Sequence, residues 1–583
     1  MFYYISCRAT HLAGLGVALL FFITQAFATT YYVDSVSGSD SNNGTSKSTP
    51  WKTISQVNSP GLSYLAGDSI LFKCGNAWTQ GTSNFTSPLT TPNSGSSGNP
   101  ITYGHYVTSG SCTTLPILDA NGALDPLMRI TKNNITVDGL WFKNAKSPTG
   151  DMLDYGGATN IQILNNHFTD TAWAAIISET VSATTALIDG NTCDATSGQV
   201  QLGGCVKIQG PSTTTVTHNL SDMRNLNTVS SGANCIHFEV SGSSNSKIDS
   251  NTMYGGTQGV SFKPGSCPTG GTPGVGSCYK ARVSGGSMSD NYISGVKRFG
   301  SATHTVGADV CVGTPAGDGE AIELEGGPSP FTSGGVTLLD ISQSNITVAR
   351  NIIIGSIGTT GATGDHDCSN DTQDAIGTYY SSGFIYGNII IGPTGTYNAM
   401  HFGGRDTMSN TKSLVYNNTF VQDPSLTIKT GTAINNQTGS GSGFADYRNN
   451  IFVGFPKALC CANSSGASED YDIFFNTATP STGITLGTHT RIIDPKFVLS
   501  GGAYKTAEDV KLQGVVSPAI ATGQAQLSQF GNILNPQPVS YPYGTSTQGP
   551  LWNVGAFGLP NGGCNGPCPE IIRGAKISGA AIR

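Results

Sequence analysis

From residue 134 onward, apolar and polar residues alternate over short stretches that end alike, in an asparagine followed by more apolar residues. The copies read ILNNHF to Phe168, LIDGNT to Thr192, VTHNL to Leu220, KIDSNTM to Met253, MSDNYI to Ile293, TVARNIII to Ile354, FIYGNIII to Ile391, LVYNNTF to Phe420, DYRNNIF to Phe452 and DIFFNT to Thr477. Their asparagines are Asn166, Asn191, Asn219, Asn251, Asn291, Asn351, Asn388, Asn418, Asn450 and Asn476, 25 to 40 residues apart with one interval of 60. Alternation without helical periodicity predicts strands. A strand-turn-strand unit of about 25 residues, repeated with loop insertions, predicts an all-β fold: a parallel β-helix solenoid of ten or more coils. No coil buries its apolar face alone, whereas stacked coils share one core. An amide at each turn would reach its copy about 4.8 Å away in the next coil, so the asparagine column reads as structural.

A second column falls between the first. It runs Cys205-Val-Lys-Ile-Gln209, Cys235-Ile-His-Phe-Glu239, Gly259-Val-Ser-Phe-Lys263, Ala321-Ile-Glu-Leu-Glu325, Ala375-Ile-Gly-Thr-Tyr379, Ala399-Met-His-Phe-Gly403 and Ala433-Ile-Asn-Asn-Gln437. Strand side chains alternate, so the second and fourth places point into the core and the third and fifth point outward. Cys205 and Cys235 share the small-residue place of the alanines and read as packing residues.

Read outward, this column aligns Lys207, His237, Ser261, Glu323, Gly377, His401 and Asn435, and beside them Gln209, Glu239, Lys263, Glu325, Tyr379, Gly403 and Gln437. For a chain with only 11% charged residues the strip is rich in titratable groups. Glu323 and Glu325, two residues apart on one strand, suit the acid and base of an inverting glycosidase, with Asp374 as a third carboxylate. Asp318 and Glu320 are candidate oxygen ligands for Ca²⁺. An eliminase would instead need a base, for which Lys263, His237 and His401 are the candidates, and a cation to neutralise developing charge, for which Lys207 is one. Gln209, Glu239, Lys207, Tyr379 and Asn435 would line the binding face. A register that places Lys263 between Glu239 and Glu325 would raise its pKa, which counts against it as a base.

The net charge of −7 excludes a basic nucleic-acid binder. Arg8, the apolar run Leu12 to Ile23 and the small-x-small site Ala26-Phe27-Ala28 read as a secretory signal peptide over 1–28, leaving no membrane association after cleavage. Thirteen of the 14 cysteines then remain in the exported chain, where disulfides are permitted. Sequence-near candidates are Cys74 with Cys112, Cys267 with Cys278, and Cys564 with Cys568.

Tyr31-Tyr-Val-Asp34, Gly38-Ser-Asp40, Asn43-Gly-Thr45, Pro50-Trp-Lys-Thr-Ile54 and Gly67-Asp-Ser-Ile-Leu-Phe72 resemble the opening of secreted right-handed parallel β-helix proteins of the pectate-lyase-like superfamily. Ser97-Gly-Asn-Pro-Ile-Thr102 and Val137-Asp-Gly-Leu140 are similar to its first coils. Ile493-Asp-Pro-Lys-Phe497, Leu512-Gln513, Ser517-Pro-Ala-Ile520 and Val554-Gly-Ala-Phe557 look like its closing segment. The resemblance spans most of 30–558 and rests on capping and turn residues. It implies a right-handed helix and a secreted lyase, glycoside hydrolase or epimerase acting on polysaccharide, without a catalytic motif that transfers.

The expected organisation is therefore a signal peptide (1–28), an N-terminal cap with first coils (29–130), central coils (131–480), a closing segment (481–558) and a Gly/Cys/Pro-rich tail (559–583). The expected activity is cleavage of an extracellular (or periplasmic) polysaccharide by β-elimination of a uronate-containing chain. The alternatives are inverting hydrolysis by paired carboxylates and a non-catalytic carbohydrate-binding or adhesive solenoid. Nothing in a capped coil stack requires more than a monomer.

Overall fold

Strand Ile161–Leu164 shows how a coil is made. Ile161 and Ile163 are buried, and Gln162 and Leu164 between them are partly exposed. Two residues turn the chain into His167–Thr169, and Ala174–Glu179 follows as the third side. Each strand pairs in parallel with its copies in the flanking coils, as Ile161 does with Ile135 and Ala186. Repetition yields three parallel sheets. The first has 15 strands, from Thr30–Val33 to Ser468–Asp470. The second has 14, from Ala77–Thr79 to Arg491–Ile492, and the third 13, from Leu89–Thr90 to Thr479–Thr482. The fold is a right-handed parallel β-helix.

The structure is a computed structural model. It describes residues 28–556 apart from 60, 147–149, 197–203, 226–235, 257, 266–282, 297–298, 301–302, 307–308, 313–314, 317–319, 327–330, 334–335, 339–342, 356–373, 393–397, 404–412, 423–430, 437–444, 462–466, 500–503, 505, 514–515, 520–521, 525–538, 541–544 and 547–553. The expected signal peptide lies outside the described residues up to residue 27.

From Ile135–Asp138 onward the corner between the first and second sheets has a fixed form. Two residues separate Leu164 from His167, Asp189 from Thr192, Ala349 from Ile352 and Arg448 from Ile451. The first of the two takes a left-handed conformation, with φ of 52° at Asn165, 69° at Gly190, 53° at His218, 56° at Arg350 and 64° at Tyr471. One left-handed residue reverses the chain most tightly, and glycine or asparagine does so at least cost. The second is the ladder asparagine. Asn191 accepts on Oδ1 from the backbone N–H and Nδ2 of Asn166, and donates from Nδ2 to Oδ1 of Asn219 at 2.9 Å and to the Ile163 carbonyl at 2.8 Å. The same pattern joins Asn219, Asn251, Asn291, Asn351, Asn388, Asn418 and Asn450, all at most 1% exposed. Buried amides are tolerated because every donor and acceptor is used.

The ladder ends on Asp472, which accepts from the backbone N–H and Nδ2 of Asn450 at 2.7 and 3.1 Å. Asn476, the expected tenth member, lies exposed beyond strand Ile473–Phe475. The last interval is 22 residues, so the repeat is shorter there than the sequence pattern suggested. Inside the coils Phe142 stacks on Phe168, and Phe420, Phe452 and Phe474 form a stack, with ring centroids 5.1 Å apart at the spacing of the rungs.

Two disulfides are present among the described residues. Cys74–Cys112 is the expected pair. Cys205 bonds to Cys193 across a corner of its coil, which corrects its reading as a packing residue only; both cysteines also belong to the core. Cys235, Cys267, Cys278, Cys564 and Cys568 lie outside the described residues.

The late coils carry apolar residues on both faces of the second sheet, and the C-terminal segment explains why. Phe497, Val510, Leu512 and Val554 pack on Ile389, Val421, Ile451 and Ile473.

Asn251→Ala strands the Asn219 donors, the Val216 carbonyl and the Asn291 acceptor interactions in the core. We expect a loss of about 3 kcal/mol or more, read as a lower urea midpoint. Asp472 has a buried, unpartnered Oδ2, and its pKa is raised by burial and then by Glu469. Asp472→Asn keeps the acceptor and adds a donor, so the same measurement at neutral pH should show a gain of roughly 1 kcal/mol.

Candidate active site

The outward residues of the third sheet are positioned by their register. Ser261, Glu323, Gly377, His401 and Asn435 stand in one row over five strands, between core residues such as Ile322 and Leu324 that are at most 1% exposed. Upstream the row continues through Glu239 and Lys207. His237, expected in this row, sits two residues before Glu239 and is fully buried. Its ring reaches Ser221 Oγ through Nδ1 at 2.6 Å and the Gly255 carbonyl through Nε2 at 2.8 Å. The carbonyl requires the proton on Nε2, so Nδ1 accepts from the serine. His237 thus ties the third sheet to the second from inside and does not face the groove. Gln209 and Glu239 consequently meet directly, at 3.0 Å, and Ser241 stands in Lys263's row.

Lys263 is the electrostatic centre. Its ammonium lies 3.1 Å from Oε2 of Glu323 and 3.1 Å from Oε2 of Glu325. Burial alone would lower its pKa, but Glu323, Glu325 and Glu239 outweigh that and push it well up. This holds the proton on Lys263 and counts against the role of base expected of it. Glu323 also accepts from Gln258 Nε2 and, at 2.9 Å, from Ser261 Oγ. Its side chain is 5% exposed against 45% for Glu325. The shared lysine holds the two Oε2 atoms within about 6.2 Å of each other, closer than the roughly 6.5–9.5 Å that an inverting pair uses.

One rung further on, Gly377 has no side chain and Glu320 fills the place. A Cβ on Gly377 would lie 2.5–2.9 Å from the Glu320 carboxyl atoms, so glycine is what admits it. Tyr379 donates from its hydroxyl to Glu320 Oε1 at 2.8 Å. Burial, then the carboxylates of Glu320, Asp374 and Glu323, raise the Tyr379 pKa, so the phenol keeps its proton. On the next rung His401 Nδ1 lies 3.1 Å from Asp374 Oδ2, without hydrogen-bond alignment. Asp374 is anchored by Asn398 through Nδ2 at 3.1 Å and its backbone N–H at 3.3 Å. The Tyr379 ring meets His401 edge-on at 5.5 Å. The row from Lys207 to Asn435 therefore forms a polar strip of roughly 29 Å at about 4.8 Å per rung.

The structure brings Lys263, Glu320, Glu323, Glu325, Tyr379, Asp374 and His401 together, with Glu239 and Gln209 one or two rungs upstream. Lys207 lies further along, its ammonium 4.0 Å over Trp173. Asn435 Oδ1 at the far end is buried without a partner. Asp318 and Gln437 lie outside the described residues. Among the described residues no three groups of this cluster converge within 4.8 Å as ligands would, so they do not by themselves form a preformed Ca²⁺ cage. Gln258, Trp173 and Asn398 were not anticipated. Gln258 precedes the five-residue motif, and Trp173 and Asn398 sit at corners, where alternation carries no information.

No family model matches the chain. A local match, 43% identical over 53 residues, is to a lacto-N-biosidase of Bifidobacterium longum subsp. longum; it covers 9% of this chain, which spans only 3% of that relative's length. Among solved structures, a GH136 lacto-N-biosidase from Eubacterium ramulus is 11% identical, covering 70% of this chain and 67% of its own, with a TM-score of 0.42. A pectate lyase is 13% identical, with coverage of 91% and 97% and a TM-score of 0.40. A PL6 family alginate lyase is 12% identical, with coverage of 84% and 57% and a TM-score of 0.41. Likenesses this distant carry no argument about the reaction.

Burial lowers the His237 pKa to about 4, against about 6.5 in the unfolded chain. Between these values the unfolded chain binds a proton that the folded one refuses. Stability should fall as pH drops from 6.5 to 4, by up to about 3 kcal/mol from this residue. Urea midpoints measured across that range should show a shallower acid slope in His237→Gln.

Proposed function

We propose that the chain is a carbohydrate-active enzyme that hydrolyses glycosidic bonds in an extracellular saccharide laid along the third sheet. The observation that carries this reading is the double ion pair of Lys263. It removes the lysine as a base and holds Glu323 in place, with Gln258 and Ser261 fixing its orientation. Around it the carboxylates of Glu239, Glu320, Glu323, Glu325 and Asp374 outnumber the cations. Such a groove repels a polyuronate and suits an uncharged sugar chain, whose developing positive charge at the cleaved carbon these carboxylates stabilise. In this reading Glu323 acts at the anomeric carbon, as nucleophile or through water. Glu320, beside the protonated Tyr379, carries the proton for the leaving oxygen, and Asp374 with His401 orients the adjoining sugar. The two disulfides accord with an oxidising, extracellular setting.

A second reading keeps β-elimination, with His401 as base and Lys263 as the cation that neutralises the enolate. The place of His401 in the same row as Glu323, with Nδ1 3.1 Å from Asp374 Oδ2, favours it.

The mature chain incubated with neutral and uronate-containing polysaccharides should release reducing ends without near-ultraviolet absorbance. Absorbance rising in step with reducing ends would establish elimination instead. Glu323→Gln and Glu320→Gln should each lower kcat by about 10²- to 10⁴-fold with unfolding midpoints close to the parent's. Unchanged turnover in both would remove the acid–base assignment.

A further inference from the structure

The second sheet carries a cleft of about 370 Å³ on its outer face, away from the carboxylate strip. Its row of outward residues reads Trp141, His167, Thr192, Leu220 across four adjacent strands. Trp141 and His167 are stacked, with centroids 4.7 Å apart and planes at 12°. Thr192 is small, so the far face of the imidazole looks across a notch towards Leu220. The two flanking strands lie two rungs apart, roughly 9.6 Å between backbones, enough for one saturated ring between the side chains.

The next outward row supplies the polar edge. Asp194 is held through Oδ2 by His167 Nε2 at 2.8 Å, while its Oδ1 is buried and has no hydrogen-bond partner. Asp222, one strand on, is already oriented by Arg224 Nε at 2.9 Å. The site therefore offers an aromatic wall, an aliphatic wall and carboxylate acceptors at the rim. That combination matches a molecule with apolar C–H faces and hydroxyl donors at its edge, and the Arg224 pairing with Asp222 and the Lys143 ammonium 4.9 Å over Trp141 leave the rim without a net field to select a charged ligand.

We propose that this notch binds a single neutral pyranose unit of a saccharide chain, as a second, non-catalytic site on a different face from the proposed reaction. Thr192 is the floor, the His167–Trp141 stack the platform, and Asp194 an acceptor for a sugar hydroxyl at the rim. On the late coils the same face is covered by the C-terminal segment. The exposed early coils keep polar and aromatic side chains where the covered ones carry isoleucine and valine, which separates a ligand face from a packing face.

The test is affinity electrophoresis of the full mature chain in gels containing xylan, galactomannan or mixed-linkage β-glucan. Parent and Glu323→Gln should both be retarded by at least one of these polymers. Thr192→Phe fills the notch with a residue that strands favour and should weaken that retardation by roughly tenfold or more, as should Asp194→Asn to a smaller degree. Retardation of both variants equal to the parent's, or no retardation of the parent in any gel, overturns the proposal. Thermal melts show whether Thr192→Phe is folded, and if it is not, Asp194→Asn decides. Retardation lost in these variants, in a protein that releases no reducing ends, would leave this site standing and remove the hydrolase reading.

Discussion

The asparagine ladder is the constraint on which the rest of the molecule rests. An amide buried at a corner must satisfy two donors and an acceptor, and it does so with a backbone carbonyl and the matching side chains of the adjacent coils. That requirement fixes the vertical register of every coil from Asn166 to Asp472. Register in turn decides which side chains share a row on the third sheet, because a slip of one residue would exchange the inner and outer faces. The meeting of Glu323 with Lys263, or of Glu320 with the gap over Gly377, is thus settled at a corner on the opposite side of the coil.

The solenoid was legible in the sequence because its two signals, alternation and a recurring polar residue, are local and repeat many times. The candidate site was legible in outline for the same reason: Glu323, Gly377, His401 and Asn435 do share a row. The placement of His237 failed where alternation disappears. Strand Ile236–Ser241 is buried at every position, so nothing in its composition separates inside from outside, and the small-residue rule set the register two residues out. Asn476 was misread because Asp472 does the work of an asparagine at a coil of 22 residues. Cys205 could be recognised as a core residue, but not as half of a disulfide, since Cys193 lies on a different sheet. Glu320 entered only as a possible ligand, because its position over Gly377 depends on a neighbour 57 residues away in sequence.

The charge arrangement follows from a chain that uses ionisable residues sparingly. With so few charges, each buried acid on the third sheet has a designated partner: Gln209 for Glu239, Lys263 for Glu323, Tyr379 for Glu320, Asn398 for Asp374. Removing one partner leaves a carboxylate uncompensated, which usually costs more than the pair contributes. The strip is consequently rigid before any ligand arrives, and the cost of ordering it is met during folding rather than at binding.

The two-residue corner has an evolutionary corollary. From Ile135–Asp138 onward its length stays at two residues although the coils differ widely in size, so the insertions of those coils fall at the two corners that border the third sheet. Lineages of this architecture can therefore lengthen, shorten or exchange the walls of that groove without disturbing the internal scaffold. Recognition is modular here in the engineering sense: loop grafting at those two corners alters what is held, while the invariant corner preserves what holds it.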